Sequence, residues 1–325
     1  MAFSSTSSTL KNDFRTDVLR GLRSDKKFLL AKYFYDAAGD ILFQKIMHCP
    51  EYYPTDCELE ILREQSATIL SHCLTPNKQL DMVELGAGDA FKSIFLLKEL
   101  ERQEGDFQYF PIDISKHVIA DLEQKIPLRV KNVQVKGFAG EYLEMLASIR
   151  QTSSDRNKLV LFLGSSLGNM NFEEGIQFLK EVKSYLRPGD FFLLGLDLVK
   201  TPEIILNAYN DATGYTKAFN LNLLTRINRE LGGNFKLGQF AHFPIYETKT
   251  KACKSYLISL LDQEVKIDGE IFHFDEKEQI YMEISQKYDE EGILEMLKAT
   301  GFQFVHNFFD TKKWFVDTLW KVAEN

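Results

Sequence analysis

An excess of basic charge is what this chain most clearly lacks. Its 39 Lys and Arg face 47 Asp and Glu, for a net charge of −8. Proteins that read a phosphate backbone need a basic footprint, so no nucleic-acid partner is expected and a small or cationic substrate fits better. A disulfide pattern is missing too. Cys49, Cys57, Cys73 and Cys253 form neither C-x-x-C nor a paired framework, which reads as reduced thiols in a cytoplasmic protein with no metal site. The longest apolar runs, such as LVLFLG and FFLLGL, are too short to cross a bilayer, so no membrane partner is expected. The opening MAFSSTSSTLKNDF has no basic start followed by an apolar run and reads as a frayed tail, not a signal peptide. No internal repeat stands out. What the chain does have is aromatics: 26 Phe and 13 Tyr, within a composition 44% hydrophobic and 26% charged. These favour pockets for flat or partly apolar ligands, although most must be core. Its 325 residues suffice for two domains or one large one, and a monomer is expected.

From Gln79 onward, short β-type runs alternate with amphipathic helical stretches. QLDMVELG, FQYFPID, VQVKGF, KLVLFLG and DFFLLGLDLV have strand length, and SIFLLKELERQ, KHVIADLEQKI and NFEEGIQFLKEVKSYL lie between them. Continuously apolar strands separated by helices imply a parallel sheet covered on both faces. The fold class is therefore α/β and doubly wound, with its ligand at the carboxyl ends of the strands. After Lys200 the alternation stops, and residues 201–285 mix helical with β-like stretches, as in a second, α+β domain. A helix, DEEGILEMLKATG, then precedes FQFVHNFFD and WFVDTLWKV, whose short link Thr311-Lys312-Lys313 makes them an antiparallel hairpin. Five parallel strands closed by this hairpin predict a seven-stranded, mostly parallel sheet. The split reads as 1–59 with 201–285 in one domain and 60–200 with 286–325 in the other.

Three stretches carry chemistry. Directly after the first strand, Glu84-Leu85-Gly86-Ala87-Gly88 places two glycines where a ligand can approach the backbone and the next helix offers its positive end. A dinucleotide fingerprint would want glycine again at Phe91, so a pyrophosphate cofactor such as NAD fits poorly. Glu84 suits a cofactor bearing an ammonium or sulfonium. The second strand ends in Pro111-Ile112-Asp113-Ile114-Ser115, where Asp113 can accept both ribose hydroxyls of an adenosyl group, unless it or Ser115 merely caps the helix near Lys116. Acid, G-x-G and acid at successive strand ends read as an S-adenosylmethionine site.

The third stretch, LFLGSSLGNMN, contains a formal G-x-S-x-G centred on Ser166. A nucleophile elbow needs a helix starting at once, with a His and an acid as partners. Here Asn171 looks like an N-cap with Glu174 three residues on, so the helix starts five residues too late. His242 and His306 have no evident acid-bearing context. A serine hydrolase using Ser166 is the remote alternative.

Together with KYFYDAAGDILFQKI, PEYYPT, VELGAGDAFKS, LRPGDFFLLGLDLVK, AYND, FNLNLLTRINREL and MEISQKY, the stretch LFLGSSLGN resembles the ergothioneine-pathway L-histidine Nα-methyltransferase family from about Lys32 to the C-terminus. That resemblance implies a Rossmann-like class I methyltransferase domain, here 60–200 and 286–325, plus a substrate-binding domain, 1–59 and 201–285. The implied activity is transfer of three methyl groups from S-adenosylmethionine to the α-amino group of histidine, giving hercynine. It further implies that Asn169 holds the α-amino group with Tyr35 near it as the catalytic residues, and that Tyr209 binds the carboxylate. Glu283 and Ser285 would contact the imidazole, and Tyr52 or its neighbour Tyr53 would face the site. Gly86, Lys92 and Asp113 match cofactor positions, with Glu84 and Gly88 beside them. Two departures stand out. The family's G-D-F after the third strand is Gly137-Phe138-Ala139, which leaves the adenine to backbone and apolar contact at Phe138. A methionine of the imidazole pocket is replaced by Ser255, which keeps open the same chemistry on another amino acid, such as tryptophan or an indole derivative.

Overall fold

The computed structural model describes residues 5–74, 79–152 and 156–323. Residues 1–4 of the expected tail lie outside that range, but from Ser5 the chain is helical through Arg23, so this stretch is an element and not a frayed tail. Phe14, Val18, Leu19 and Leu22 give the helix one buried stripe.

Among the described residues the strands are β1 (Asp81–Leu85), β2 (Gln108–Asp113), β3 (Gln134–Val135), β4 (Phe138–Ala139), β5 (Lys158–Phe162), β6 (Phe191–Asp197), β7 (Phe240–Glu247), β8 (Ala252–Ser259), β9 (Gln263–Ile267), β10 (Glu270–Phe274), β11 (Gln279–Gln286), β12 (Gln303–Phe309) and β13 (Phe315–Lys321). The chain divides into two compact units. One is 54–199 with 286–325, the sheet unit; the second is 1–53 with 200–285.

The sheet unit is built on an eight-stranded sheet of order β12-β13-β6-β5-β1-β2-β3, with β4 also paired to β2. The pairs from β6 through β1 to β2, β3 and β4 are parallel, and β13 runs antiparallel to both β6 and β12. Eight segments occupy seven positions, because β3 pairs with Gln108–Tyr109 and β4 with Ile112–Asp113 of the same strand. The run VQVKGF is broken at Gly137, where a Cβ would overlap Ile119 and the backbone N–H turns away to Glu123. β1, β5 and β6 are buried at every position, as strands covered on both faces must be. Chain order runs outward from β1 to β3 on one side and from β5 to β6 on the other, so the β1/β5 boundary is the topological switch point at which open α/β sheets bind ligands.

The second unit pairs a three-stranded sheet, β11-β8-β7, with the hairpin β9-β10. Its core joins Phe14 and Leu22 of the first helix to Phe219, Leu223 and Ile227 of helix Tyr215–Leu231, and to Leu257, Ile280 and Met282 of the sheet. Asp36 ties these parts together. It caps helix Ala37–Met47 through the Gly39 N–H and accepts from Asn222 and Arg229 of helix Tyr215–Leu231.

Candidate active site

At the carboxyl end of β1, Gly86 and Gly88 both take positive φ, +75° and +52°. At Gly86 a Cβ would sit 2.9 Å from the Tyr142 hydroxyl, whereas at Gly88 it would meet nothing within 4 Å. The first glycine is thus required by packing and the second leaves backbone open to a ligand. Asp113, at the end of β2, accepts from the Gly88 N–H at 3.1 Å and from the Ser115 N–H at 2.9 Å. The helix cap is Ser115, which accepts from Val118, so Asp113 fixes the glycine turn and keeps lone pairs for a diol. Phe138 stands opposite Ile112 in register, its half-buried ring beside Phe110.

Glu84 is enclosed behind this turn. It is 4% exposed, and the Tyr109 hydroxyl donates to its carboxylate. Burial pushes its pKa up to about 7, against the pull of the hydrogen bond from Tyr109. Lys92 is not a solvated first-turn lysine: its Nζ pairs with Glu58, whose side chain is fully buried.

The loop after β5 carries Asn169. Gly164 and Ser165 both adopt positive φ, a short 3-10 turn spans Ser166–Asn169, and Asn171 then caps helix Phe172–Tyr185 in a capping box with Glu174. Asn169 is exposed. The Ser166 hydroxyl donates to the Leu163 carbonyl at 2.7 Å, and the helix begins only at Phe172, so neither requirement of a nucleophile elbow is met. Gly168 allows close approach of the chain after β11, since a Cβ there would lie 3.0 Å from the Gln286 carbonyl. That segment is held by Lys287, which is fully buried and paired with Asp197 at 2.7 Å.

In the second unit, the Tyr209 hydroxyl lies 2.5 Å from Ser285 Oγ. The Tyr52 ring stands edge-on to Tyr209 at 6.2 Å and to Phe43 at 6.3 Å. Tyr35 packs edge-on against Phe43 and Phe219 at 5.6 and 5.5 Å, so one aromatic cluster joins Tyr35, Phe43, Phe219, Tyr52 and Tyr209. Tyr53 is buried, and its hydroxyl accepts from Lys200. Of the two adjacent tyrosines, Tyr52 is the one beside Tyr209. Glu283 is half-buried, two residues from Ser285 on β11. Ser255 lies on β8, the strand next to β11. It is 3% exposed, and its Oγ lies 3.5 Å from Nε2 of His242, whose pKa burial lowers to about 4.

Sequence patterns missed Glu58 and Tyr142, and His242 was weighed only as a partner for Ser166. Glu58 reads as one polar position on a helix 34 residues before Lys92, and no local spacing marks the pairing. Gly86 hinted that something crowds the turn without saying what.

A doubly wound sheet with a reversed last strand, an open glycine turn and an acid at the next strand end defines the class of S-adenosylmethionine-dependent methyltransferases. The comparisons narrow this. A family model described as a histidine-specific, SAM-dependent methyltransferase matches residues 14–322. The histidine N-alpha-methyltransferase of Mycolicibacterium smegmatis is 34% identical over 299 residues, 91% of each chain, and that of Mycobacterium tuberculosis 33% identical with the same coverage. Ergothioneine biosynthesis protein 1 of Schizosaccharomyces pombe is 26% identical over 85% of this chain and 36% of its own length. The chain belongs to the histidine-specific, SAM-dependent methyltransferase family.

Proposed function

We propose that the protein transfers methyl groups from S-adenosylmethionine to the α-amino group of L-histidine, three times, to give hercynine. The observation that carries this reading is the family match over residues 14–322, joined to the Tyr209–Ser285 contact in the second unit, with Glu283 two residues away on β11. The sheet unit fits the donor: Gly88 leaves room against the backbone, Asp113 offers carboxylate lone pairs for the ribose, Phe138 offers apolar surface for the adenine, and Lys92 and Gly86 shape the turn. When bound, S-adenosylmethionine supplies a methyl carbon on a positively charged sulfur, open to in-line displacement.

The protein's own task is alignment and exclusion of water. An ammonium has no lone pair, so the amine must arrive neutral. The Asn169 carbonyl accepts from its N–H and aims the lone pair, with Tyr35 assisting. After the first and second transfers the new ammonium loses one proton to water, and the third leaves a quaternary nitrogen with none to lose. Asn169 can accept in this way in the first two rounds, whereas the dimethylated amine of the third has no N–H left, and its lone pair is aimed by the anchoring of the carboxylate and imidazole. Tyr209, set by Ser285 and flanked by Tyr52, holds the carboxylate. Glu283 accepts from an imidazole N–H.

The test is incubation with S-adenosylmethionine and a panel of amino acids, followed by mass spectrometry. Histidine gaining three methyls is the expected result. Methylated tryptophan with unmodified histidine would refute the substrate assignment, and the buried Ser255–His242 pair would be the first place to look for the cause.

A further inference from the structure

Glu58 lies in the second turn of helix Tyr53–Cys73 with its side chain fully buried, yet both of its oxygens are engaged by polar partners. One carboxylate oxygen pairs with Lys92 Nζ. Both oxygens accept from the backbone N–H of Gly164, at 2.7 and 2.9 Å. Lys92 closes the glycine turn after β1, and Gly164 opens the loop that ends in Asn169. One side chain therefore grips both loops of the switch point at once. The space it needs is provided by Gly195 of β6, where a Cβ would overlap Glu58 Oε1 and lie 3.2 Å from Asp317 Oδ1. Asp317 is fully buried, and neither of its oxygens meets a donor among the described residues. Burial first, and then the charge of Glu58, raise its pKa well above the usual carboxylate range. Buried, the Glu58 carboxylate is compensated by the lysine and the amide N–H, and removing its charge leaves Lys92 uncompensated.

We infer that Glu58 is a positioning residue for methyl transfer, fixing the cofactor turn through Lys92 and the Asn169 loop through Gly164. This rests on the reading above, in which the turn holds S-adenosylmethionine and Asn169 aims the amine. Glu58 touches neither ligand in that reading and acts through the two loops alone.

The experiment compares the full-length enzyme with E58Q and G195A. The first keeps the size of the side chain and removes its charge, and the second displaces the carboxylate without altering it. Steady-state kinetics with S-adenosylmethionine and histidine, calorimetry with S-adenosylhomocysteine, and near-UV circular dichroism are recorded for each. Both variants are expected to fold, to lose about tenfold or more in kcat through misalignment, and to bind S-adenosylhomocysteine more weakly. The KM for histidine is expected to stay within about threefold, because the groups assigned to its carboxylate and imidazole are elsewhere. Folded variants with wild-type kcat and wild-type affinity for S-adenosylhomocysteine would overturn the inference. If one variant does not fold, the other decides. Amide exchange at Gly164 in the wild-type protein decides without either: slow exchange, slowed further by S-adenosylhomocysteine, is expected, and fast exchange indifferent to it would overturn the inference. A wild-type enzyme that leaves histidine unmethylated would refute the substrate reading, while the calorimetry would still test Glu58.

Discussion

Glu84 shows how a residue chosen for one role can be read through another. Its acidity at the end of β1 suggested attraction for a cationic cofactor, but its carboxyl is enclosed with the Tyr109 hydroxyl and titrates near 7. A carboxyl whose pKa is higher in the folded than in the unfolded chain binds its proton more tightly when folded. Its contribution is therefore fully present below about 4.5 and is lost as pH rises through about 7. The loss is on the order of 3–4 kcal/mol. Glutamine at this position can still accept from Tyr109 and cannot ionise. Urea denaturation of E84Q across this pH range should consequently give a flatter stability profile than the wild type, and parallel profiles would remove Glu84 as the source of the slope.

At the scale of elements, helix Tyr215–Leu231 depends on a residue outside it. Asp211 accepts from the Thr213 hydroxyl at 2.5 Å and from the N–H groups of Tyr215 and Thr216 at 2.8 and 2.7 Å. Burial pushes its pKa up, but these bonds outweigh it and hold the carboxyl down at about 2. Its contribution is accordingly present above about 4 and is lost as pH falls through 2. D211A should cost about 1–2 kcal/mol, the scale of a lost N-terminal cap, as measured by urea denaturation at neutral pH. An unchanged midpoint would show that the helix start is held by packing alone. Nothing in AYND announces this role, since a helix cap normally stands next to its helix. The sheet elements were far easier to read. Runs such as KLVLF and FFLLGLD are apolar throughout because both faces are covered, and the polar link Thr311-Lys312-Lys313 told that the last two strands fold back. The third strand was read as continuous because its break depends on Ile119 and Glu123, which lie on a different element. The helix from Ser5 was lost because Ser and Thr obscure its start, whereas the apolar stripe read from its described side chains runs from Phe14 to Leu22. The site divides in the same way. Gly86, Gly88 and Asp113 sit at strand ends that topology singles out, whereas Glu58 meets Lys92 and Gly164 only after folding.

For the whole molecule, a ligand that binds only the folded chain adds its binding free energy to stability. S-adenosylhomocysteine at 100 times its dissociation constant should add about 2.7 kcal/mol. That corresponds to a rise in melting temperature of about 5–10 °C for a unit of this size, measured by scanning calorimetry. NAD under the same conditions should produce no rise, because Phe91 stands where a pyrophosphate turn would need glycine. An equal rise with NAD would contradict the cofactor assignment. Among the described residues no helix is long and apolar enough to cross a membrane, and no cluster of His, Cys, Asp and Glu is arranged to hold a metal ion. The four cysteines, none of them in a disulfide and all buried, are shared evenly: Cys49 and Cys253 belong to the second unit, Cys57 and Cys73 to the sheet unit. A thiol reagent added to the native protein has nothing to attack until one of these units opens. The chain thus carries two built-in clocks, and peptide-by-peptide labelling would time the breathing of each unit separately without a single engineered residue.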